Sequence, residues 1–314
     1  MTITQLEYIL AVEKYRHFGK AAKARGVSQP TLSMQLQKAE DELGIIIFDR
    51  SKNPILTTDE GAKIVNQARL VIREYKKIYS IVDASKDDVR GDFRLGVIPT
   101  LAPYVIPLFA GAFVKKYPQV NLSIEEFKTD EMIELLNTDE LDAALLVTPL
   151  VGENLIERIL FHEAFSVFAS KDHALLKKTK IKGKDLQTAD VWLLNEGHCF
   201  RQQVLNLCKF SETSGNHDNL KFESGNLETL KNMILNNQGY TLLPELAVLN
   251  LSKEDKLHVR EFQSPIPTRE VSLVHNRIFL KEKIITALEG AIIENLPKSL
   301  TSLKNKNFEI ISIN

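Results

Sequence analysis

The sequence is poor in cysteine, with only Cys199 and Cys208 among its 314 residues. Secreted chains that depend on disulfides carry more, so this scarcity predicts a cytoplasmic protein in a reducing compartment. No apolar run approaches the roughly 20 residues of a membrane span, and charged residues interrupt the apolar positions near the N-terminus, so we expect neither a membrane segment nor a signal peptide. Glycine-rich phosphate loops, dinucleotide fingerprints and CxxC motifs are also missing, so we expect no cofactor and no metal site.

The two cysteines lie nine positions apart. In a helix, nine residues make two and a half turns and rise by about 13 Å, so the two thiols would face opposite sides. A disulfide needs Cα atoms within roughly 4.4–6.8 Å, so a bond between Cys199 and Cys208 would dismantle such a helix. Positive charge on His198 and Arg201 would lower the pKa of Cys199, as would a helix start after Gly197. Two other interpretations stay open, namely inert buried thiols and a metal site formed with His198.

Basic residues cluster near the N-terminus although the formal net charge of the whole chain is only −1. Residues 14–38 contain no acid and carry Lys14, Arg16, Lys20, Lys23, Arg25 and Lys38. Such a stretch is either a solvated helical face or a surface that contacts phosphates. The length of the chain predicts at least two domains, so this stretch can belong to a separate nucleic-acid-binding domain.

The local pattern of this stretch predicts two helices joined by a short turn. Gly26 breaks the first of them, and Ser28 caps the next, with Pro30 in its first turn. The buried stripe of this third helix of the chain is Leu32, Leu36 and Ala39, and its exposed polar side chains are Gln29, Thr31, Ser33, Gln35 and Lys38. Two short strands are predicted at Ile45–Phe48 and Ile55–Thr57, joined by a loop that carries Arg50 and Lys52. This is a winged helix-turn-helix, in which the last helix enters the major groove of DNA.

These residues resemble the winged helix-turn-helix of the LysR-type transcriptional regulators. The resemblance rests on Phe18, Ala21-Ala22, Val27-Ser28-Gln29-Pro30, Leu32-Ser33, Gln35-Leu36, Glu40, Leu43-Gly44, Phe48, Arg50, Leu56-Thr57 and Gly61. Ala39 stands where that family usually has leucine. The resemblance implies double-stranded operator DNA as a partner. The DNA contacts are expected from Ser28, Gln29, Pro30, Thr31, Ser33, Gln35, Lys38, Arg50 and Lys52.

One long helix is predicted over residues 59–88. Its apolar positions recur at alternating spacings of three and four, the seam of a coiled coil, at Ile64/Val65, Ala68, Val71/Ile72, Tyr75, Ile78 and Val82. Such a seam packs either on its own domain or on a partner helix, and its run without Gly or Pro favours a partner. The resemblance implies a linker helix through which two chains dimerise, giving a homodimer or a homotetramer.

The rest of the chain alternates strand and helix patterns, which predicts an α/β fold with a largely parallel sheet. The predicted domains are the winged helix-turn-helix at 1–58, the linker helix at 59–88 and an effector domain at 89–314, with lobe I at about 89–162 and 268–314 and lobe II at about 163–267. Strands are expected near Leu160 and at Phe165–Ala169, Val191–Leu194 and Leu220–Phe222. Residues 295–314, with repeated Lys, Ser and Asn, are expected to form a loosely attached tail.

Thr100 and Thr129 follow the first two strands of this part, where ligands of α/β folds bind, although either can equally cap a helix. The two-lobed half resembles the periplasmic-binding-protein-like effector domain of the LysR-type regulators, and their peroxide-sensing branch above all. That likeness rests on Gly197-His198-Cys199-Phe200-Arg201 with Cys208, on Leu227-Glu228-Thr229-Leu230 and on Gly239-Tyr240-Thr241-Leu242-Leu243-Pro244. It implies that Cys199 is the peroxidatic and Cys208 the resolving thiol, that Thr100, Thr129 and His198 surround the peroxide, and that Arg269 lies near the reactive thiol.

The resulting hypothesis is a DNA-binding regulator that senses hydrogen peroxide through reversible Cys199–Cys208 disulfide formation and controls oxidative-stress genes. A cellular thiol reductant would reset it. It is not expected to be an enzyme. One alternative is a LysR-type regulator of a small-molecule effector in the cleft between the lobes, with incidental cysteines. Another is a thiol peroxidase with a DNA-binding appendage.

Overall fold

The computed structural model describes residues 1–84, 89–150, 155–186, 190–208, 224–236, 239–276, 281–302 and 307–313. Contacts divide the chain into two compact units, Met1–Asp87 and Asp88–Asn314, each with its own hydrophobic core. Within the described ranges, no helix is both long enough and apolar enough to cross a membrane.

The first unit is a small helical domain with a two-stranded wing. Its elements are α1 (Ile3–Tyr15), α2 (Phe18–Ala24), α3 (Gln29–Leu43), β1 (Phe48–Asp49), β2 (Leu56–Thr57) and α4 (Asp59–Ala84). Ser28 caps α3 by accepting a hydrogen bond from the backbone of Thr31, and Gly44 ends α3 with a φ of 70° that glycine adopts without strain. The predicted buried stripe of α3 is confirmed, since Leu32, Leu36 and Ala39 are fully buried. The two wing strands form and pair antiparallel, but β1 begins at Phe48, where the predicted strand ends, and β2 is one residue shorter than predicted.

The apolar seam of α4 is divided between the interior of the unit and its surface. Val65, Ala68 and Ile72 are buried in the core of the first unit, where α4 packs on α1. Val71 and Ile78 remain 37% and 58% exposed. Packing on the same domain therefore accounts for the N-terminal part of the seam, while the side chain of Val82 lies outside the described residues.

The second unit is an α/β domain. Its elements are β3 (Gly91–Val97), α5 (Ala102–Lys116), β4 (Val120–Glu126), α6 (Thr129–Asn137), β5 (Ala143–Thr148), β6 (Leu155–Ala169), α7 (Cys199–Cys208), α8 (Leu227–Asn236), β7 (Tyr240–Pro244), α9 (Glu245–Leu249), β8 (Val259–Glu261), β9 (Ile266–Asn276), α10 (Glu282–Asn295), α11 (Lys298–Ser302) and β10 (Phe308–Ile310). The strands follow the order β4-β3-β5-β9-β6-β7, with β10 beside β9 and β8 beside β6.

The expectation of a largely parallel sheet is wrong. The strand β3 pairs parallel with β4 and β5, but β9 runs antiparallel to β5 and β6, and β6 runs antiparallel to β7 and β8. The strands expected near Leu160 and at Phe165–Ala169 are a single strand, β6, whose first part pairs with β9 and whose last part pairs with β7 and β8. The polar residues in its middle do not end it, because His162 and Glu163 stand opposite Glu270 and Arg269 of β9.

Two further strands and a loose C-terminal tail were also expected. No strand forms over Val191–Leu194, where Val191 makes one isolated bridge to Tyr240. The strand expected at Leu220–Phe222 lies outside the described residues. A loosely attached tail is wrong for the described part of the C-terminus, because β10 pairs parallel with β9 and both Leu300 and Ile311 are buried. The apolar residues spaced among the lysines and asparagines give this segment its anchors.

Candidate functional site

The helix α7 carries both cysteines and begins at Cys199. Gly197, two residues earlier, has a φ of 84°, which turns the chain into the helix without strain. Cys199 carries a free thiol, and the residue as a whole is half-buried. The expected helix is confirmed, since α7 extends without a break from Cys199 to Cys208. Nine residues of helix correspond to a rise of about 13 Å between the two cysteines. The side chain of Cys208 lies outside the described residues.

Thr129 lies beside Cys199, Thr100 lies beside Arg269, and neither of the two threonines caps a helix. The side chains before α5 and α6 make no capping hydrogen bond, and Thr129 is itself the first residue of α6. The buried Thr129 hydroxyl has no nitrogen or oxygen partner among the described residues, and it interacts with the thiol of Cys199. The hydroxyl of Thr100 instead accepts a hydrogen bond from Arg269 at 3.1 Å. The alternative that Thr100 or Thr129 caps a helix is therefore wrong for both residues.

Arg269 is held by a carboxylate that the sequence analysis missed. Glu163 stands directly opposite Arg269 in the pairing of β6 with β9, and both side chains are fully buried. Arg269 Nε and Nη2 lie 2.8 and 2.7 Å from Glu163 Oε2, while Glu163 Oε1 accepts a hydrogen bond from the Leu246 amide at 2.7 Å. The Arg269 guanidinium also lies 5.8 Å from the ring centroid of Phe200 on α7. Glu163 lies in the apolar second half of β6, but only the pairing with β9 shows that Arg269 is its partner.

The electrostatics of Cys199 differ from the expectation. Burial raises the pKa of Cys199 above its ordinary value, and the Thr129 hydrogen bond and the charge of Arg269 oppose that rise. Arg201 is not among the groups that lower the pKa of Cys199, and its Nη1 donates to the Leu194 carbonyl at 3.0 Å. His198 does not supply it either, since burial lowers the pKa of His198 and keeps the ring neutral near pH 7. The resting thiol is therefore protonated, and Arg269 is the cation that favours its ionisation.

Lys128 is a second residue that the sequence analysis missed. It precedes Thr129, and its Nζ donates to the Glu196 carbonyl at 2.9 Å. Its charge adds to the effect of burial in lowering the pKa of His198. Lys128 thus ties the start of α6 to the chain just before α7. Among the described residues, no group of three or more His, Cys, Asp or Glu side chains is arranged to hold a metal ion.

The expected DNA-reading residues lie mainly on the surface of the first unit. Seven of the nine are exposed, on α3, at its start or on the wing, namely Ser28, Gln29, Pro30, Thr31, Lys38, Arg50 and Lys52. Ser28 and Thr31 also join their hydroxyls at 2.7 Å. Gln35 is half-buried, and its Oε1 accepts a hydrogen bond from the buried Gln5, so this amide is used inside the unit. Met34, which the sequence analysis missed, is 63% exposed on the same helix.

Arg50 belongs to an internal network as well as to the wing. Its Nη2 pairs with Glu40 Oε2 at 2.7 Å, and its Nη1 lies 3.4 Å from Ser33 Oγ. The other carboxylate oxygen of Glu40 accepts from the backbone amides of Ile47 and Phe48 at the start of the wing. Arg50 therefore lies in the expected loop, directly after β1, and its exposed side chain also contacts α3.

Two family models match the chain. The bacterial regulatory helix-turn-helix protein of the lysR family matches residues 3–62, and the LysR substrate binding domain matches residues 86–285. The chain therefore belongs to the LysR family of bacterial helix-turn-helix regulators, which confirms the resemblance and the fold expected from it. Within that family, the relatives described next are OxyR proteins and peroxide-inducible activators.

A hydrogen peroxide-inducible genes activator of Haemophilus influenzae is 36% identical over 275 residues, which is 88% of this chain and 90% of that one. The DNA-binding transcriptional dual regulator OxyR of Escherichia coli is 34% identical over 88% of this chain and 89% of its own length. A solved cysteine-to-aspartate variant of full-length OxyR from Pseudomonas aeruginosa has a TM-score of 0.79 and 34% identity, with 94% of this chain and 99% of that chain covered.

Proposed function

We propose that this protein is a transcription regulator that senses hydrogen peroxide through a reversible Cys199–Cys208 disulfide and so controls oxidative-stress genes. The observation that carries this proposal is the placement of the free Cys199 thiol beside Thr129 and within the field of Arg269, at the start of a helix that ends at Cys208. Relatives at 36% and 34% identity are named as a peroxide-inducible activator and as OxyR, and both cover most of the chain.

The proposed chemistry balances with one peroxide and two thiols. The Cys199 thiolate attacks one oxygen of hydrogen peroxide, the O–O bond breaks, and hydroxide leaves with a proton as water. Cys199 is then a sulfenic acid. The Cys208 thiol attacks its sulfur, the S–O bond breaks, a second water leaves and the S–S bond forms. Peroxide is reduced by two electrons, and a cellular dithiol or glutathione later returns two electrons to the disulfide.

The residues near Cys199 supply what this reaction needs. Arg269 favours the thiolate, and its hydrogen bond to Thr100 keeps that hydroxyl directed beside it. Thr129 offers a buried hydroxyl next to the sulfur, and the neutral His198 ring offers a further donor. Preorganised donors of this kind stabilise the hydroxide that leaves when the O–O bond breaks.

Disulfide formation in this scheme requires α7 to unwind. The two Cα atoms must approach from about 13 Å to less than roughly 7 Å. Phe200, Val204 and Leu205 are buried on α7, so unwinding removes their present packing. Their apolar surface then needs another cover, and a contact between subunits would provide one. The redox state would in this way change how the chains of an oligomer are arranged on DNA.

The first unit would bind double-stranded operator DNA through the exposed face of α3 and the wing. Gln29, Thr31 and Lys38 are exposed and would contact base edges and phosphates, and the exposed Lys52 would extend that surface on the wing. The exposed Val71 and Ile78 of α4 would pack against a second copy of the chain, giving a homodimer or a homotetramer. A cytoplasmic location follows from this function.

Thiol mass spectrometry of the full chain after one equivalent of hydrogen peroxide tests the proposal. The wild-type protein should gain one intramolecular disulfide, and Cys199→Ser should gain none. The matched variant Cys208→Ser should still consume peroxide but stop at sulfenic acid or a higher oxide on Cys199. Continued turnover with a thioredoxin system, well beyond one equivalent, would instead identify a peroxidase. An unmodified protein would favour a regulator of a small-molecule effector.

A further inference from the structure

The C-terminal segment, residues 307–313, is attached to the strand that carries Arg269. Its strand β10 pairs with the first residues of β9, and the Ile311 amide donates to the Thr268 carbonyl at 2.9 Å. The Asn307 carbonyl accepts hydrogen bonds from the Ile266 amide and the Ser264 hydroxyl. The buried Ile311 side chain completes this attachment. The segment is thus a fixed part of the second unit.

The same segment also binds α7. Gln203 Nε2 donates to the Ile311 carbonyl at 2.9 Å, and Asn206 Nδ2 donates to the Ser312 carbonyl at 3.0 Å. Gln203 and Asn206 are three residues apart and therefore share one face of the helix. Gln202 fixes the second amide by donating to Asn206 Oδ1 at 2.9 Å. Two successive carbonyls of the segment thus accept hydrogen bonds from side chains on two successive turns of α7.

We propose that the C-terminal segment holds α7 in its helical thiol state, with Gln203 and Asn206 as the positioning residues. The inference rests on the proposed function, since it assumes that α7 unwinds when Cys199 and Cys208 form a disulfide. The two side chains reach two successive carbonyls only when they have helical spacing. The two hydrogen bonds therefore cannot both persist once the helix unwinds. An interaction made in only one of two states shifts the equilibrium toward that state. The segment therefore opposes disulfide formation and is released by it.

Gln203 is the residue on which this coupling depends most. It is only 1% exposed, and its Oε1 has no hydrogen-bond partner in the part of the chain that the structure describes. The Ile311 carbonyl is therefore the partner that compensates the buried amide. Replacing Gln203 by alanine removes the contact with the segment. Alanine is the better helix former, so any loss of the helical thiol state cannot be ascribed to helix propensity.

The dithiol–disulfide equilibrium of the full chain in glutathione buffers tests the inference. Gln203→Ala should shift the equilibrium about tenfold toward the disulfide, the effect of losing one buried hydrogen bond. A tenfold shift corresponds to a potential about 30 mV more negative. In a Cys208→Ser background, the rate of the first reaction of Cys199 with peroxide should stay unchanged, because the segment acts on unwinding and not on the thiol. A purely structural defect at the thiol would change both measurements.

A chain that ends at Lys306 provides the second variant, and the two can be combined. Truncation should shift the equilibrium in the same direction, and Gln203→Ala should then add nothing. Ser264→Ala, which removes a hydrogen bond between the segment and the chain just before β9 but none to α7, should have the smaller effect. A full additional shift from Gln203→Ala in the truncated chain would overturn the inference, as would unchanged equilibria in both variants. If the wild-type protein forms no disulfide at all, the proposed function itself fails.

Discussion

Neutralising either member of the buried pair Glu163–Arg269 should move the pKa of Cys199 in opposite directions. Arg269→Gln removes the positive charge that opposes the effect of burial, so the pKa of Cys199 should rise further above its present raised value. Glu163→Gln leaves Arg269 in place and removes its counter-charge, so the pKa of Cys199 should fall. Because the thiolate is the reactive species, Cys199 should react more slowly near pH 7 in Arg269→Gln and faster in Glu163→Gln.

Both substitutions should lower the free energy of unfolding, although they move the pKa of Cys199 in opposite directions. Both side chains are fully buried, and removing one partner of such a pair costs about 3–5 kcal/mol because a charge is left without its counter-ion. The double variant should lose less than the sum of the two, since it leaves no unpaired charge. Urea unfolding can be followed by the fluorescence of Trp192, the single tryptophan of the chain, which is buried in the second unit.

The thiol measurement is the rate of alkylation by iodoacetamide as a function of pH, in a Cys208→Ser background so that only Cys199 reports. Arg158 lies on the same strand β6, five residues and about 16 Å from Glu163, and it pairs with Glu289 of α10. Arg158→Gln, which breaks that ion pair, is therefore a suitable control. It should lower stability and leave the pKa of Cys199 unchanged. Shifts of the same sign in Arg269→Gln and Glu163→Gln would mean that the pair acts on Cys199 through packing, which would refute the electrostatic argument.

Two predictions concern the first unit. Arg50→Ala should weaken binding to all DNA sequences and flatten the slope of log K against log salt by about 0.9 if one phosphate contact is lost. The exposed wing variant Lys52→Ala should have the same effect. A lower melting temperature with an unchanged slope would mean that Arg50 only supports Glu40. Val71→Glu combined with Ile78→Glu should give monomers with much weaker operator binding, because two charges would enter the exposed part of the seam. Light scattering and DNA titration measure the two effects. An unchanged oligomer would show that this surface is not the dimer contact.

Short-range patterns were enough to predict the elements of the first unit. The cap at Ser28, the glycine at the end of α3 and the spacing of Leu32, Leu36 and Ala39 are all local signals, and the structure has each of them as expected. The position of Arg50 was not predictable in this way. Its partner Glu40 is ten residues away on another element, and no local pattern contains that pairing.

In the second unit, long-range pairing overrode local composition. Strand β6 continues through His162 and Glu163 because its partner strand supplies Glu270 and Arg269, and no local pattern contains that information. The C-terminal segment is polar on average, yet Ile311 finds a buried site between β9 and α7. The raised pKa of Cys199 was missed for a related reason. Its neighbours in sequence, His198 and Arg201, are directed elsewhere or neutral, while the effective charge comes from Arg269, far along the chain.

The packing of α7 also bears on whether the proposed disulfide can be reset. Phe200, Val204 and Leu205 are 1%, 1% and 4% exposed, and full burial of such side chains stabilises by about 1.5–3 kcal/mol each. Unwinding α7 without new cover for these side chains would therefore cost about 5–9 kcal/mol, which at about 30 mV per 1.4 kcal/mol raises the potential of the disulfide by roughly 100–200 mV. Structural disulfides lie below about −300 mV, out of reach of the glutathione pool. To the extent that these side chains stay uncovered, the strain of an unwound α7 would bring the proposed Cys199–Cys208 bond into the range that cytosolic thiols reduce. The packing that opposes the proposed switch would then also make it reversible.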